Sequence, residues 1–128
     1  MINGNVSHWW QQIGAPEPRP ALQGDLQVDV AIVGAGYTGL WTAYYLKRAQ
    51  PDLRVAVIEK RHAGYGASGR NGGWLTNAIT GGRAQYVKTH GRDAAERMQR
   101  AMNETVDEVV RVTEAEGISL HIGVQELK

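Results

Sequence analysis

The sequence VAIVGAGYTGL at residues 30–40 decides the fold, because an apolar run there leads directly into a glycine-rich turn. The run predicts a β-strand from about Val28 to Val33, and its continuous apolar character is typical of a parallel strand covered on both faces. A helix is predicted from Thr38 to about Ala49, ending before Pro51, since a residue that precedes proline disfavours helical backbone. The stretch therefore predicts a strand, a turn and a helix in an α/β fold.

Three glycines in this stretch meet the requirements of a dinucleotide-binding turn. Gly34 allows the tight turn, Gly36 lets the backbone approach a pyrophosphate, and Gly39 lets the helix pack closely on the strand. A second predicted strand, VAVIE at residues 55–59, ends in Glu59, whose carboxylate can accept hydrogen bonds from both ribose hydroxyls of an adenosine. Because such crossovers are right-handed, both strands are expected side by side in one sheet. The pattern predicts a βαβ unit with the pyrophosphate at the helix N-terminus.

Two other interpretations of the same stretch stay open. Residues 30–46 carry no charge and reach the lower length limit of a membrane span. Against a span, Asp29 and Lys47 bracket the run, and its glycines would weaken an isolated helix. The second alternative is a glycine-rich turn in an α/β domain that binds no nucleotide. The strand, helix, second strand and terminal acid in register favour the dinucleotide site, and no membrane span is expected.

The composition narrows the function classes. With 128 residues, 42% of them hydrophobic, the chain is long enough for one soluble globular domain. A net charge of +1 without a basic cluster gives no support to nucleic-acid binding. The absence of cysteine excludes disulfides and thiolate nucleophiles, and the four scattered histidines predict no metal site. The N-terminus lacks a secretory signal pattern, so a cytoplasmic protein is expected.

Residues 1–27 predict an irregular N-terminal arm. Its prolines, among them Pro16 and Pro18, restrict the backbone and oppose a regular helix over that stretch. Trp9 and Trp10 are expected to clamp the arm onto the surface of the domain.

A second long helix is predicted beyond the βαβ unit. Asp93 and Glu96 have the spacing of a capping box, and Gly117 is a plausible C-terminal stop. Between them, apolar residues recur every three or four positions and form one face. Alternating apolar residues from Ile118 predict a further strand. The predicted organisation is an irregular arm at 1–27, the βαβ unit and a glycine-rich loop at 28–82, a helical segment at 83–117, and the start of a second-domain strand at 118–128.

The loop GYGASGRNGG at residues 64–73 adds a second motif shortly after Glu59. Its small residues allow backbone N–H groups to approach an extended ligand. Ser68 and Asn71 can hydrogen-bond phosphate or ring heteroatoms, and Arg70 offers a cationic fork. A flexible surface loop is the alternative interpretation. A nicotinamide enzyme of this fold would continue from its acidic residue into further βα units, so the loop favours a flavin.

Residues 32–40, 57–60 and 64–73 together resemble the FAD-dependent oxidoreductases of the D-amino-acid oxidase superfamily, and within it the gamma-glutamylputrescine oxidase-like subgroup. The resemblance implies that the glycine turn lines the FAD pyrophosphate, that Glu59 holds the adenosine ribose, and that the loop runs along the diphosphate toward the isoalloxazine. Some relatives attach flavin covalently through a histidine in this loop, which is lacking here, so non-covalent FAD is expected. The expected cofactor-binding residues are Gly34, Ala35, Gly36, Tyr37, Thr38, Gly39, Glu59, Lys60, Arg61, Ala67, Ser68, Arg70, Asn71, Gly72 and Gly73.

The chemistry implied by the resemblance is hydride transfer from the carbon next to a substrate amine to flavin N5, with oxygen as electron acceptor. The implied substrate is a small amine or amino acid, and no catalytic residue is predicted in this chain. Because members of the family are longer, we expect an N-terminal portion, an incomplete domain that is inactive alone. An NAD(P)-linked dehydrogenase fragment and a non-catalytic nucleotide-binding module are the alternative functions.

Overall fold

The computed structural model describes residues 7–14 and 16–119. These residues fall into two compact units that divide between Gly72 and Gly73. The helices and strands are α1 (His8–Ile13), β1 (Val30–Val33), α2 (Tyr37–Ala49), β2 (Val55–Ile58), α3 (Arg83–His90) and α4 (Arg92–Ala115), with a 3₁₀ turn at Ala67–Gly69.

The first unit contains a two-stranded parallel sheet, as the sequence predicts. β1 and β2 pair in register, with Val30 opposite Val55 and Val33 opposite Ile58. The ladder continues past its last pair, because the Gly34 N–H donates to the Ile58 carbonyl at 2.8 Å. Both parallel strands end beside the glycine turn, so their C-terminal ends lie at the start of α2.

Helix α2 packs on one face of this sheet. A Cβ atom at Gly39 would lie 2.0 Å from the Gly34 carbonyl oxygen and 3.3 Å from Cγ2 of Ile32. Only glycine therefore permits this approach of helix and strand. The expectation that both faces of β1 are covered is not met within this unit, since Val33, which points away from Ile32, is 88% exposed.

The prediction of a wholly irregular N-terminal arm is wrong for one segment. Helix α1 occupies His8–Ile13, and the Ser7 hydroxyl accepts a hydrogen bond from the Trp10 N–H at 3.3 Å. Serine is a preferred N-cap because its oxygen satisfies an amide that the first helical turn leaves without an acceptor. The short helix lies before the prolines, so the restriction that they impose applies only to the part of the arm beyond it.

The second unit is a helical hairpin. The predicted helical segment consists of two helices, α3 and α4, interrupted at Gly91, whose φ of 85° is in the left-handed region. The capping box predicted at Asp93 is wrong, because α4 begins at Arg92 with Gly91 as its N-cap and no side-chain cap. Glu96 instead forms an exposed ion pair with Arg83 of α3 at 3.4 Å.

The apolar face of α4 is confirmed. Ala95 is fully buried and Val112 is 5% exposed, whereas the charged residues between them point outward. The predicted stop at Gly117 is also confirmed: its φ is 66°, and the Ile118 N–H reaches back to the Thr113 carbonyl at 2.8 Å, as in a Schellman motif. The strand predicted from Ile118 lies, apart from its first two residues, outside the described part of the chain. Across the described ranges, no helix combines the length and apolar character of a membrane span.

Candidate functional site

Three separate segments of the chain meet at the turn between β1 and α2. The Ala35 N–H donates to Oε2 of Glu59, which follows β2, at 2.9 Å. The Ala35 carbonyl accepts from the Gly64 N–H, also at 2.9 Å. At the first residue of α2, the Tyr37 N–H donates to the Ser68 hydroxyl at 2.9 Å. The glycine turn, the acid and the glycine-rich loop therefore form one hydrogen-bonded cluster, with Ala35 only 4% exposed.

The start of α2 presents backbone donors. Within the described residues, the N–H groups of Gly36, Thr38 and Gly39 have no protein acceptor. Such amides, together with the positive end of the helix dipole, favour a bound anion. The arrangement can therefore bind a phosphate group through backbone alone.

The glycines of the turn leave space where side chains would stand. Gly34 has a φ of 100°, and a Cβ atom there would have no neighbour within 4 Å. A Cβ atom at Gly36 would lie 2.9 Å from Oγ of Ser68, so any side chain at this position would displace the serine. Amides without acceptors and missing side chains are both needed for close approach to a diphosphate, and the residues present fit that group.

Glu59 is held by backbone amides. Its Oε2 accepts from Ala35, and its Oε1 accepts from the Arg61 N–H at 3.0 Å. These donors lower the pKa of Glu59 below its ordinary value of 4.5, with the Ala35 amide as the largest cause and the Arg61 amide as the next. In the part of the chain that the structure describes, no lysine or arginine forms an ion pair with this carboxylate. Its charge therefore remains available to hydroxyl donors.

The two arginines expected near the cofactor lie against the ring of Tyr65. The guanidinium carbon of Arg70 is 4.9 Å from the ring centroid, and that of Arg61 is 5.7 Å away. Arg70 Nε also donates to the Tyr65 carbonyl at 2.9 Å. Tyr65 could not be singled out from the sequence, because a cation–π contact requires a cation within about 6 Å of the ring, a distance that spacing along a loop does not specify.

Asn71 connects the loop to its surroundings. Its side-chain amide donates to the Ser68 carbonyl at 2.8 Å and to the Tyr37 hydroxyl at 3.1 Å. The backbone carbonyl of Asn71 accepts from the Trp9 indole N–H at 2.8 Å. Trp10 contacts the same loop, with a ring carbon 3.3 Å from the position of a Cβ atom on Gly64. The predicted clamping of the arm by these two tryptophans is confirmed.

The other predicted residues are less closely tied to this cluster. Ala67 begins the 3₁₀ turn and accepts from the Arg70 N–H at 3.1 Å. The Lys60 backbone amide is a further, smaller contributor to the lowered pKa of Glu59. Gly72 ends the first unit, and Gly73, with a φ of 71°, opens the second.

Known sequences resemble this chain over most of its length. A sequence profile of the family described as FAD dependent oxidoreductase (DAO) matches residues 29–126. The chain is 40% identical over 111 residues to the gamma-glutamylputrescine oxidoreductase of Escherichia coli strain K12, an alignment that covers 87% of this chain and 25% of the relative. It is 38% identical over 88 residues to the probable oxidoreductase OrdL of Haemophilus influenzae, covering 69% and 20%.

A shorter similarity extends to another oxidase. The chain is 44% identical over 69 residues to sarcosine oxidase subunit beta of Rhizobium meliloti, covering 54% of this chain and 14% of the relative. This chain thus spans about a quarter or less of the length of these relatives. No solved structure matches it significantly. Because the family profile covers well over half of the sequence, the chain belongs to the DAO family of FAD dependent oxidoreductases, and its cofactor is FAD.

Proposed function

We propose that this chain is the FAD-binding part of a flavin-dependent amine or amino-acid oxidase of cytoplasmic location, built on a Rossmann-like βαβ unit. Two relatives, gamma-glutamylputrescine oxidoreductase and sarcosine oxidase subunit beta, support by their names a small amine or amino acid as the substrate class. The observation that carries the proposal is the meeting of the glycine turn, Glu59 and Ser68 at residues 35–37.

The binding roles follow from the donors and acceptors of the cluster. The free amides of Gly36, Thr38 and Gly39 would hold the FAD diphosphate, and the Ser68 hydroxyl would border it. A carboxylate has about four acceptor positions, so Glu59 keeps room for ribose hydroxyls beside its two backbone donors. The residues around Lys60 would lie near the adenine, and 67–73 would follow the diphosphate toward the flavin ring.

When bound, FAD supplies the hydride acceptor for oxidation at the carbon next to the amine, with oxygen as the final electron acceptor. The residues of this chain would hold FAD without a covalent bond, since they include no cysteine and the loop at 64–73 has no histidine. The residues of this chain bind and orient the cofactor. The predicted domain boundaries at 27, 82 and 117, and the inactivity of this chain by itself, are part of the proposal.

Ser68 offers the direct test. Ser68→Ala removes the hydroxyl that accepts from the Tyr37 N–H and would border the FAD diphosphate. We therefore expect the dissociation constant for FAD to rise about five- to tenfold. Quenching of flavin fluorescence by the purified chain measures this constant, and titration with NAD tests the dehydrogenase alternative.

The matched control is Thr105→Ala. This substitution deletes a hydroxyl that bonds the Ala101 carbonyl on the exposed surface of α4, in the other unit, so FAD affinity is expected to change less than about twofold. Binding of NAD in preference to FAD would overturn the flavin assignment. Equal losses in both variants would overturn the location of the diphosphate.

A further inference from the structure

We propose that Trp9 is a positioning residue for the FAD-binding loop, and that its indole N–H, by holding Asn71, fixes this loop against the start of α2. The proposal rests on the proposed function, because the ligand that gains from an ordered loop is the cofactor. Trp9 itself need not touch FAD.

A continuous series of hydrogen bonds joins the N-terminal arm to the turn. The Trp9 indole donates to the Asn71 carbonyl at 2.8 Å across 62 positions of sequence. The Asn71 side chain then donates to the Tyr37 hydroxyl at 3.1 Å and to the Ser68 carbonyl at 2.8 Å. Ser68 completes the series by accepting from the Tyr37 N–H at 2.9 Å. The arm therefore reaches the first residue of α2 through a single loop residue.

Trp10 contributes differently from Trp9. Its ring lies against two loop glycines, with Cζ2 3.3 Å from a Cβ position on Gly64 and Nε1 3.1 Å from one on Gly69. Its ring also meets His62 edge to face, with centroids 5.0 Å apart. Among the described residues its buried indole N–H has no acceptor. Trp10 thus supplies contact area, whereas Trp9 supplies the directional bond that sets the position of the loop.

The loop needs such support because of its composition. Glycine loses more conformational freedom on ordering than any other residue, and the loop at 64–73 contains five of them. A loop that is ordered before binding spares the ligand that entropic cost, so affinity rises without a new contact. Bonds from the arm that order the loop should therefore increase affinity for FAD.

The test is Trp9→Phe in the full 128-residue chain, which keeps an aromatic ring and removes the N–H donor. We expect the FAD dissociation constant to rise about fivefold, the effect of one ordinary hydrogen bond. Hydrogen exchange of the Tyr37 and Arg70 amides, measured without FAD, should accelerate by a similar factor, since their acceptors lie in or next to the loop. The control is Ile13→Ala at the end of α1, where the side chain is 75% exposed; both quantities should stay unchanged.

A double-mutant cycle separates positioning from general stabilisation. Asn71→Ala cuts the ties to Tyr37 and Ser68, so Trp9→Phe added to it should weaken FAD binding by less than about twofold further. Two effects that multiply, or Trp9→Phe with unchanged loop exchange, would overturn the inference. Faster exchange in the β1–β2 ladder as well would mean general unfolding and would equally overturn it. If the unaltered chain bound no FAD, the proposed function would fail, and the loop exchange would still decide the role of Trp9.

Discussion

The two ends of the β1–β2 ladder each carry a carboxylate, and the two carboxylates have different partners. At the start of the ladder, Asp29 accepts from the Arg54 guanidinium at 2.7 and 3.1 Å and from the Arg54 backbone N–H at 2.9 Å. At the other end, Glu59 accepts from the backbone amides of Ala35 and Arg61. The charge of Asp29 is compensated by the guanidinium of Arg54, whereas Glu59 is held in place by uncharged amides that leave its charge uncompensated.

The difference supports the proposed roles, in which the Asp29 end of the sheet is structural and the Glu59 end binds the cofactor. The ion pair of Asp29 with Arg54 joins the two strands and has no net charge to attract a ligand. The carboxylate of Glu59 lies beside free helix amides, so one place offers acceptors for hydroxyls and the next offers donors for a phosphate. An adenosine diphosphate needs both kinds of group in that order.

The largest expected effect comes from Gly39→Ala, which disrupts the packing of α2 at the Glu59 end of the ladder. The new Cβ atom would lie 2.0 Å from the Gly34 carbonyl oxygen, so helix and strand must separate, and we expect a loss of roughly 3 kcal/mol in the free energy of unfolding. Urea denaturation measures it, and FAD binding should disappear with it. The gain in helix propensity from alanine, about 1 kcal/mol, is smaller than this cost.

Gly66→Ala is the matched control for that clash. A Cβ atom at Gly66 meets nothing within 4 Å, and its φ of −77° is outside the left-handed region, while its ψ of −149° lies beyond the usual strand and helix ranges. Stability should change by less than about 1 kcal/mol, because the restriction that alanine places on the unfolded chain offsets part of the strain at this ψ. An equal loss in the two variants would mean that helix–strand contact at Gly39 is not what sustains the turn.

A smaller and more selective effect is expected from exchanging the two acids for amides. Glu59→Gln places an NH2 donor opposite one of the two backbone donors and removes the negative charge that would receive the ribose hydroxyls, so the FAD dissociation constant should rise about tenfold. Asp29→Asn changes the opposite end by the same chemistry and should alter FAD affinity less than about twofold. Calorimetric titration compares them, and similar losses in both variants would refute the division between the ends.

The sequence was sufficient to predict the helices and strand pairing that depend on the spacing of glycine and apolar residues. The glycine pattern and the apolar runs predicted α2 and the parallel pairing of the strands, because turn geometry and periodicity are local properties. The partners of Glu59 depend on how Ala35 is folded back toward β2, which spacing does not specify. The sequence did not distinguish α3 from α4 within the helical segment. The end of α3 depends on the left-handed conformation of Gly91, and glycine can also occur inside a continuous helix, so its presence alone does not mark a helix end.

The smallest expected effect is the acid titration of stability, which still distinguishes the two ends. Arg54 lowers the pKa of Asp29 from 3.8 to about 2, mainly through its side-chain hydrogen bonds, and backbone amides lower the pKa of Glu59 below 4.5. A carboxylate with a lowered pKa stabilises the fold above its ordinary pKa and loses that contribution as the pH falls through the lowered one. The contribution of Glu59 should therefore begin to fade below pH 4.5 and that of Asp29 below 3.8, continuing to about pH 2. Melting temperatures recorded from pH 7 to 2 should show the onset of loss at lower pH in Glu59→Gln and a shallower final decline in Asp29→Asn; curves parallel to that of the unaltered chain in both variants would contradict the assigned partners.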